Sequence, residues 1–320
     1  MNVLLLGFRP GELSETRLEA VQRAAPDLRL VVSREREEVE RRLDEIEVAA
    51  GSFPRDLLAS ATKLRWYQQW GAGSDWLLSH PEAIEADFVL TNASGIHAIP
   101  ISEHVLALML AFARSLPLAY RRQRDREWKR DIEKKVFELA GKTVLLLGVG
   151  RIGARIAGLA EGLRMRVLGV RNDPTKGAAG VSRMHGLAEL EELLPEADFL
   201  VNTLPLTRET EGLIAEAELR LMKESAYLIN IGRGGTVRER DLIRALREGW
   251  IAGAGLDVFE EEPLPEESPL WAMENLIVTS HYSGSTPHYD DRALEIFVDN
   301  LRRYRNGEPL RNVVDKRRGY

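Results

Sequence analysis

The fold is decided by residues 142–163, which read KTVLLLGVGRIGARIAGLAEGL. The apolar run Thr143–Leu147 predicts a buried strand, and Gly148, Gly150 and Gly153 follow it directly before a helical segment. In this setting the first glycine permits a tight turn, the second lets the backbone approach a pyrophosphate, and the third lets helix and strand pack closely. The start of the helix offers free N–H groups to the phosphates. The stretch therefore predicts a dinucleotide-binding fold; the alternative is that the glycines serve turn geometry alone.

The end of the next predicted strand selects the dinucleotide. A carboxylate there would bind the ribose 2′-hydroxyl of NAD, whereas an arginine would bind the 2′-phosphate of NADP. The strand Arg166–Val170 is followed by Arg171 and Asn172. We therefore expect a preference for NADP(H). NAD(H) remains possible because Asp173 lies just beyond Arg171.

Short apolar runs alternate with charged segments of helical period along the rest of the chain, a pattern typical of parallel sheets covered by helices. We predict strands at residues 3–6, 28–32, 45–49, 64–68, 88–91, 143–147, 166–170, 199–202, 227–231, 251–257 and 276–279. We predict helices at residues 34–43, 101–116, 120–131, 154–163 and 287–304. The fold class that follows is α/β, with two doubly wound parallel sheets.

The two series of strands predict two domains. Residues 1–98 and 286–320 would form a discontinuous, flavodoxin-like substrate domain, because the last helix can return the chain to the first domain. Residues 99–285 would form a Rossmann dinucleotide-binding domain inserted within it.

Two consecutive predicted helices differ in character. The apolar helix 101–116 is expected to be buried on most sides. Segment 120–131 carries six basic residues beside three acidic ones. We interpret it as a solvated helix held by i,i+4 ion pairs, with a phosphate-binding patch as the alternative.

Composition excludes several classes of function. The chain has 320 residues, with 44 basic and 50 acidic side chains and a formal net charge of −6, which argues against a nucleic-acid or membrane partner. The absence of cysteine excludes thiol catalysis, disulfides and thiolate metal sites. No histidine pair has metal-ligand spacing, so we predict no metal site. The longest apolar run, 105–113, is too short to span a bilayer, and the N-terminus does not resemble a signal peptide, so we expect a cytoplasmic protein.

Three later strand ends carry polar motifs. Residues 230–235 place one arginine in a glycine-rich turn, residues 256–264 carry an acidic run before a proline, and residues 278–286 contain a histidine. Open α/β sheets bind their ligands outside the carboxyl ends of the strands, so we expect these loops to contact the ligand.

With these motifs the chain closely resembles the D-isomer-specific 2-hydroxyacid dehydrogenases. The matching segments are the glycine loop at 148–153, NTLPLT at 202–207, INIGRGG at 229–235, GAGLDVFEEEPLP at 253–265 and SHYSGST at 280–286. Upstream, GAGSD at 71–75 and NASGIHAIPISEH at 92–104 are also similar to family segments. The resemblance covers nearly the whole chain. It implies an NAD(P)-dependent oxidoreductase that acts on a small 2-keto or D-2-hydroxy acid, similar to the glyoxylate/hydroxypyruvate reductases.

Taken residue by residue, the resemblance implies a catalytic trio of Arg233, Glu262 and His281. Glu262 is chosen among three adjacent glutamates because it directly precedes the proline. For the substrate carboxylate the resemblance implies Arg233 together with the backbone N–H groups of Ala72, Gly73 and Ser74. The predicted cofactor contacts are Gly148, Gly150, Arg151, Ile152, Gly153, Arg171, Asn172, Thr203, Leu204, Pro205, Ile231, Gly232, Asp257 and Gly284.

These residue types suit the reduction of a 2-keto acid. The developing alkoxide needs a proton, and histidine is the side chain that carries one near neutral pH. A glutamate beside His281 favours the charged imidazole, and Arg233 can bind the carboxylate and polarise the keto oxygen. The alternatives are structural: Arg233 bonding loop carbonyls, Glu262 on a solvated acidic face, and His281 as a core histidine.

Two positions depart from the family pattern. Tyr282 stands where a small residue is common and would narrow the substrate pocket or the cofactor cleft, and His97 stands where asparagine is common. His104 is interpreted as a helix residue near the active site or a purely structural one. Trp70 is interpreted as a core residue, with a place in the lining of the substrate pocket as the alternative. We interpret the other histidines and two further tryptophans as surface, packing or core residues: His80, His185, His288, Trp66 and Trp76.

A rival function is that of a dinucleotide-sensing protein, similar to the transcriptional corepressors that share this fold. A formate dehydrogenase-like enzyme is disfavoured, because such relatives carry glutamine where Glu262 stands. The resemblance also implies a homodimer, formed through the long helix 101–116 and the segment 120–131.

Overall fold

The computed structural model of the chain describes residues 2–319, without the side chain of Lys134. Its strands are β1 Val3–Gly7, β2 Arg29–Val32, β3 Ile46–Gly51, β4 Trp66–Gln68, β5 Val89–Thr91, β6 Thr143–Leu147, β7 Arg166–Val170, β8 Arg183–His185, β9 Phe199–Asn202, β10 Tyr227–Asn230, β11 Gly253–Leu256 and β12 Leu276–Val278. Its α-helices are α1 Glu15–Ala24, α2 Arg36–Arg41, α3 Pro81–Glu85, α4 Ala98–Ala113, α5 Leu116–Asp125, α6 Arg151–Gly162, α7 Leu190–Leu193, α8 Glu216–Leu221, α9 Glu239–Glu248 and α10 Tyr289–Asn306. Short 3₁₀ helices lie at Arg55–Leu57, Asp75–Leu78, Asp131–Lys134, Leu187–Glu189, Leu194–Glu196, Gly234–Thr236 and Pro269–Ala272.

The chain divides into two compact units. The first unit is Met1–Ile96 with Thr286–Tyr320, and the second is His97–Ser285. Each is an α/β structure around one parallel sheet, which confirms the predicted fold class. The role of the first unit as a substrate domain stays a prediction.

The first unit has the strand order β2-β1-β3-β4-β5, with every strand pair parallel. This is the order of flavodoxin-like folds. One face of the sheet packs on α1 and α10, where Val21, Phe297 and Leu301 are fully buried. Trp66 of β4 is buried against Phe297. The helix near the C-terminus therefore completes the core that the N-terminal strands begin.

The second unit has the strand order β12-β11-β10-β9-β6-β7-β8, again all parallel. It is the Rossmann order of strands with one more strand at the end. The order reverses between β6 and β9, which pair directly. The buried side of α4 packs beside α6 through Val105 and Met109. Helix α4 is buried on one side, as predicted, but it is less enclosed than expected, because Ile99 and Leu110 are 37% and 38% exposed.

Three predicted strands, β6, β7 and β9, have the observed bounds, and the other predicted strands differ from the observed ones by one or two residues at their ends. The sequence prediction omits β8, because Arg183–His185 is short, mostly polar and paired on one side only, with β7. No single helix within residues 2–319 is long and apolar enough to cross a membrane; α4 and α5 pass that test only as a pair bent by 67°.

The prediction for residues 101–131 is wrong in its boundaries. The apolar helix ends at Ala113, because Ser115 adopts a left-handed φ of 51° and Pro117 belongs to the first turn of α5. Helix α5 ends at Asp125, since Arg126 is also left-handed. The expected i,i+4 ladder is absent from the described residues of this segment. Arg122 instead reaches Asp131 at 2.5 Å, beyond the end of the helix.

Candidate active site

The glycine loop is shaped by steric exclusion. It runs from Gly148, directly after β6, to Gly153 in the first turn of α6, a helix that begins at Arg151 and therefore earlier than predicted. Gly148 has a φ of +90°, and a Cβ at this position would lie 2.7 Å from Thr203 Oγ1. A Cβ on Gly153 would lie 2.2 Å from the carbonyl oxygen of Gly148. At Gly150, by contrast, a Cβ would meet nothing within 4 Å. The first and third glycines are therefore required by the fold, and the open side of Gly150 fits the approach of a pyrophosphate.

A second loop closes on the glycine loop where the strand order reverses. Thr203 follows β9, and its Oγ1 lies 2.7 Å from the carbonyl oxygen of Gly148 and 3.1 Å from that of Leu147. The neighbouring Leu204 N–H donates to Asn202 Oδ1 at 3.1 Å. Crevices at such a reversal are where open α/β sheets bind their ligands. The predicted cofactor residues of the two loops, from Gly148 to Gly153 and from Thr203 to Pro205, thus follow the two strands between which the order reverses.

Arg171 lies just past the end of β7, at the predicted position. Its N–H donates to the carbonyl of His185 at 3.0 Å, and its Nη1 donates to the carbonyl of Lys176 at 3.1 Å. Asp173 accepts the Thr175 N–H at 3.2 Å and pairs with Lys176 at 3.2 Å. Hydrogen bonds from Thr175 and Lys176 lower the pKa of Asp173. The carboxylate that would favour NAD is therefore engaged within its own turn.

A buried amide network fixes the turn that carries Arg233. Asn202 Nδ2 donates to Asn230 Oδ1 at 3.0 Å and to Thr236 Oγ1 at 2.6 Å. The Arg233 carbonyl then accepts from Thr236 Oγ1 at 2.6 Å and from Asn230 Nδ2 at 3.1 Å. All three side chains of the network belong to residues that are about 1% exposed. Gly232 adds a steric constraint, because a Cβ there would lie 2.5 Å from Leu204 O.

This network is absent from the sequence-based predictions. Its signal is an asparagine at the end of each of two adjacent parallel strands, Asn202 on β9 and Asn230 on β10, which lie in register. A buried amide at a strand end must find partners, because an unpaired one costs about 1–3 kcal/mol. Two such residues in register indicate a shared network.

Glu262 and His281, two of the predicted catalytic residues, are paired. His281 Nδ1 lies 2.6 Å from Glu262 Oε2, and Glu262 Oε1 accepts the Phe259 N–H at 3.0 Å. Because the carboxylate is an acceptor, Nδ1 carries the shared proton and Nε2 is left for other chemistry. The side chains of His281 and Glu262 are 48% and 35% exposed, respectively, so the pair is accessible to solvent.

Asp257 holds the loop on which His281 lies. It is fully buried, and it accepts hydrogen bonds from Thr279 Oγ1 at 2.6 Å, Tyr282 N at 3.1 Å and Ser283 N at 3.0 Å. Its carbonyl accepts the His281 N–H at 2.9 Å. These bonds maintain His281 at a left-handed φ of 52°, a conformation that costs a non-glycine residue energy unless its surroundings impose it. Asp257 therefore stabilises the loop, and its contact with a cofactor stays a prediction.

Two further histidines contact this region of the second unit. His104 Nε2 lies 3.2 Å from Thr279 Oγ1 and, because that hydroxyl gives its proton to Asp257, Nε2 is the donor. Burial lowers the pKa of His104, and its ring packs edge-on against Tyr282 at 5.6 Å. The ring of His97 covers Gly284, where a Cβ would lie 2.9 Å from its Cδ2. Burial and then the positive charge of Arg233 lower the pKa of His97.

The predicted carboxylate loop belongs to the first unit. Asn92 Nδ2 donates to the carbonyl of Ala72 at 2.8 Å, and Gln69 Nε2 donates to that of Gly73. Ser74 is 4% exposed, and its hydroxyl has no hydrogen-bond partner within the described residues. Trp70 precedes the loop and donates from Nε1 to Asp290 at 3.2 Å. The loop is thus held by buried amides, and the substrate contact of Trp70 stays a prediction.

The remaining predicted histidines and tryptophans have structural surroundings. His80 bonds Glu82 at 2.9 Å, His185 bonds Glu189 at 2.7 Å in a buried position, and His288 precedes α10. Trp66 and Trp76 are core residues, as predicted. Among the residues from 2 to 319, no three His, Asp or Glu side chains are grouped to hold a metal ion.

Comparison with known proteins gives consistent matches. The profile of the family described as D-isomer specific 2-hydroxyacid dehydrogenase, NAD binding domain, matches residues 106–283. A glyoxylate reductase of Korarchaeum cryptofilum is 36% identical over 267 residues, which span 82% of this chain and 79% of that protein.

Two solved structures match over nearly their full length. One is a D-isomer specific 2-hydroxyacid dehydrogenase from Xanthobacter autotrophicus Py2 in complex with NADPH and MES. It is 34% identical with a TM-score of 0.86 and covers 100% of this chain and 99% of its own. The other is an NADPH-dependent glyoxylate/hydroxypyruvate reductase from Sinorhizobium meliloti in complex with NADP and sulfate. It is 29% identical with a TM-score of 0.85 and covers 100% of both chains.

Proposed function

The chain belongs to the D-isomer specific 2-hydroxyacid dehydrogenase family. We propose that it reduces a small 2-keto acid of the glyoxylate or hydroxypyruvate type to the D-2-hydroxy acid. As a member of that family it is an NAD(P)-dependent oxidoreductase. The observation that carries the finer proposal is the His281–Glu262 pair, whose Nδ1 and Oε2 atoms are 2.6 Å apart beside the loops of the cofactor sheet.

His281 is the proton donor in the proposed reduction. A bound nicotinamide cofactor would supply the hydride for C2 of the keto acid. Because Glu262 accepts the Nδ1–H, the proton on Nε2 is available to the keto oxygen as it becomes an alkoxide. Glu262 stabilises the imidazolium before the transfer, and no proton has to move to the carboxylate. After the transfer the same hydrogen bond keeps the neutral ring in the Nδ1–H tautomer, ready to take up a proton.

Arg233 is the proposed partner of the substrate carboxylate and of the keto oxygen. Its planar guanidinium presents several donors in a fixed fork, which suits two oxygen atoms at once. The buried amide network supports this role, because it fixes the turn before any substrate binds. Within the turn, Arg233 Nη1 donates to the Gly232 carbonyl at 2.8 Å, which is the contact expected of a structural arginine. In the proposed role the remaining guanidinium N–H groups bind the substrate oxygens. The backbone N–H groups of Ala72, Gly73 and Ser74 stay predicted contacts of the substrate carboxylate.

NADP(H) is the proposed cofactor. Arg171 lies just past the end of β7 and donates from Nη1 to the Lys176 carbonyl; we propose that its remaining guanidinium N–H groups pair with the 2′-phosphate. Asp173 bonds Thr175 and Lys176 in the same turn. A bidentate arginine–phosphate contact is stronger than a neutral hydrogen bond. Two of the solved relatives are complexes with NADPH or NADP, which supports the same choice.

A homodimer is the proposed assembly. Near α5 the second unit exposes Leu116, Tyr120 and Trp128, at 52%, 72% and 95% respectively. Large exposed apolar side chains that recur within one short segment of the chain mark candidate interaction surfaces. Light scattering on the parent and on Trp128→Glu tests the proposal: we expect a dimer for the parent and a monomer for the variant. A monomeric parent would contradict it.

The activity is tested with a panel of keto acids. Purified protein is mixed with NADPH or NADH and with glyoxylate, hydroxypyruvate, pyruvate or phenylpyruvate, and the loss of reduced nicotinamide absorbance is recorded. We expect the highest kcat/KM with NADPH and with glyoxylate or hydroxypyruvate. Binding of NADPH without turnover of any keto acid would reject the proposal and favour a dinucleotide-sensing protein.

A further inference from the structure

The position of Glu262 depends on the backbone that carries it. Residues 257–263, called the acidic loop below, follow β11. Glu262 Oε1 accepts the Phe259 N–H at 3.0 Å within this loop, and Oε2 faces His281 Nδ1 at 2.6 Å. Since the side chain is 35% exposed, packing alone does not fix it. Whatever anchors the acidic loop therefore sets the geometry of the pair.

Two reciprocal hydrogen bonds anchor the acidic loop to the start of α9. Glu239 N–H donates to Glu260 Oε1 at 2.9 Å, and Glu260 N–H donates to Glu239 Oε2 at 3.3 Å. Each glutamate thus satisfies a backbone donor of the other. Glu239 is the first residue of α9, a helix of ten residues, so the Glu260 carboxylate also accepts from a donor that the helix itself leaves unpaired. We call this pair of bonds the glutamate clamp.

The turn that carries Arg233 packs on the same loop. A Cβ on Gly234 would lie 1.9 Å from the carbonyl carbon and oxygen of Phe259, so backbone meets backbone there. The chain then continues through Val237 and Arg238 into α9, where the glutamate clamp begins. The Arg233 turn, the acidic loop and the start of α9 are therefore one connected assembly.

The chemistry of the glutamate clamp indicates that a rigid link between the acidic loop and the start of α9 is favoured. Glu239 is half-buried, and burial together with the negative charges of Glu260 and Glu261 raises its pKa. A neutral acceptor would cap α9 without this repulsion. Carboxylates, however, accept hydrogen bonds from N–H groups that are roughly twice as strong as those of neutral acceptors. The arrangement tolerates charge repulsion and keeps two strong bonds across the loop.

We propose that Glu239 is a positioning residue for the reaction. Through Glu260 it holds the acidic loop so that Glu262 faces Nδ1 of His281. This inference rests on the proposed function, in which Glu262 and His281 are the acid–base pair. Glu239 acts on the reaction through the loop and is not itself a proton donor.

Three variants test the glutamate clamp. Glu239→Ala removes the acceptor for the Glu260 N–H, Glu239→Gln keeps an oxygen that can accept it, and Glu261→Ala changes an exposed neighbour in the acidic loop. For Glu239→Ala we expect kcat to fall about three- to tenfold and the alkaline limb of kcat/KM to move to lower pH by about half a unit. The KM for NADPH should stay at the parental value. Glu239→Gln should recover most of the loss, and Glu261→Ala should match the parent.

Thermal unfolding is recorded for each variant, because changes at a helix start alter stability by themselves. A Glu239→Ala protein with parental kcat and an unmoved alkaline limb overturns the inference, whatever its Tm. Equal losses in Glu239→Ala and Glu239→Gln with an unmoved limb overturn it as well, since helix capping would then explain them.

The pH midpoint of the His281 ring signals in NMR separates this inference from the proposed function, because it needs no turnover. A midpoint that shifts in Glu239→Ala supports the clamp even if no keto acid is reduced. A midpoint that stays in place rejects the clamp even in an active enzyme.

Discussion

The two halves of the candidate site are built by different means. At the glycine loop the shape depends on residues that have no side chain, since a Cβ on Gly153 would lie 2.2 Å from Gly148 O. At the loops after β11 and β12 the shape is set by hydrogen bonds, three of which end on the buried Asp257 carboxylate. A steric site fails when an atom is added, and a hydrogen-bonded site fails when a polar atom is removed. The two loops should therefore respond to opposite kinds of substitution.

The largest expected effect is on the hydrogen-bonded half. His281→Gln removes the proton donor and leaves the glycine loop unchanged, so kcat should fall by about 100-fold or more. The affinity for NADPH should be unaltered, because no predicted dinucleotide contact is lost. Steady-state kinetics and a fluorescence titration with NADPH measure the two quantities. Turnover within a few-fold of the parent would contradict the role of His281.

A matched pair of glycine substitutions tests the steric half. Gly153→Ala should lower the free energy of unfolding by about 1–3 kcal/mol, because the new Cβ collides with Gly148 O. Gly150→Ala should lower it clearly less, since the Cβ there meets open space. Both should weaken NADPH binding. Urea unfolding and the same fluorescence titration provide the values, and equal destabilisation by the two variants would speak against the steric account.

Arg171→Ala tests which dinucleotide the glycine-loop half recognises. Loss of a charge-assisted contact to the 2′-phosphate should raise the KM for NADPH about tenfold or more, and the KM for NADH should change little. The ratio of kcat/KM for the two cofactors is the measurement, with Arg183→Ala on the neighbouring strand as a control. An unchanged ratio would show that another residue selects the cofactor.

The smallest expected effect concerns His97, whose pKa burial and Arg233 lower. As the pH falls below about 6.5, the usual value for histidine, the unfolded chain takes up this proton before the native one does. The native state therefore loses stability towards acid pH through His97. In His97→Asn this contribution disappears. As the pH falls from 7 towards 5, the free energy of unfolding should therefore decrease less in the variant than in the parent. Parallel curves of stability against pH would rule this out.

Strands with simple boundaries can be predicted from the sequence. The apolar runs of β6 and β7 are each bounded by a polar or glycine residue, and both have the predicted bounds. Strand β8 escapes prediction because Arg183–His185 has almost no apolar pattern and relies on its pairing with β7. The ends of α4 and α5 are set by the left-handed residues Ser115 and Arg126, which carry no glycine signal. Local pattern thus predicts the apolar strands, and it misses a polar edge strand and helix ends that have no glycine signal.

The candidate site also has one part that the sequence predicts and one part that it does not. The glycine loop and the strand-end motifs are contiguous in sequence, so spacing and resemblance identify their residues. The contact of Asn202 with Thr236 and the glutamate clamp join residues that lie 34 and 21 positions apart. No local spacing fixes such partners, because they meet only once neighbouring strands and helices are in register. The sequence thus offers the strand-end asparagines Asn202 and Asn230 as a signal, whereas Thr236 and the glutamate clamp become visible only in the structure.

The division of the chain at residues 96/97 and 285/286 has a practical consequence for protein engineering. The hydrophobic clusters on both faces of the seven-stranded sheet draw only on residues from 101 to 278. One uninterrupted gene segment therefore encodes every part of that core. The five-stranded sheet needs α10 from the far end of the chain, so it could be produced alone only after a new peptide link joins Ile96 to Thr286.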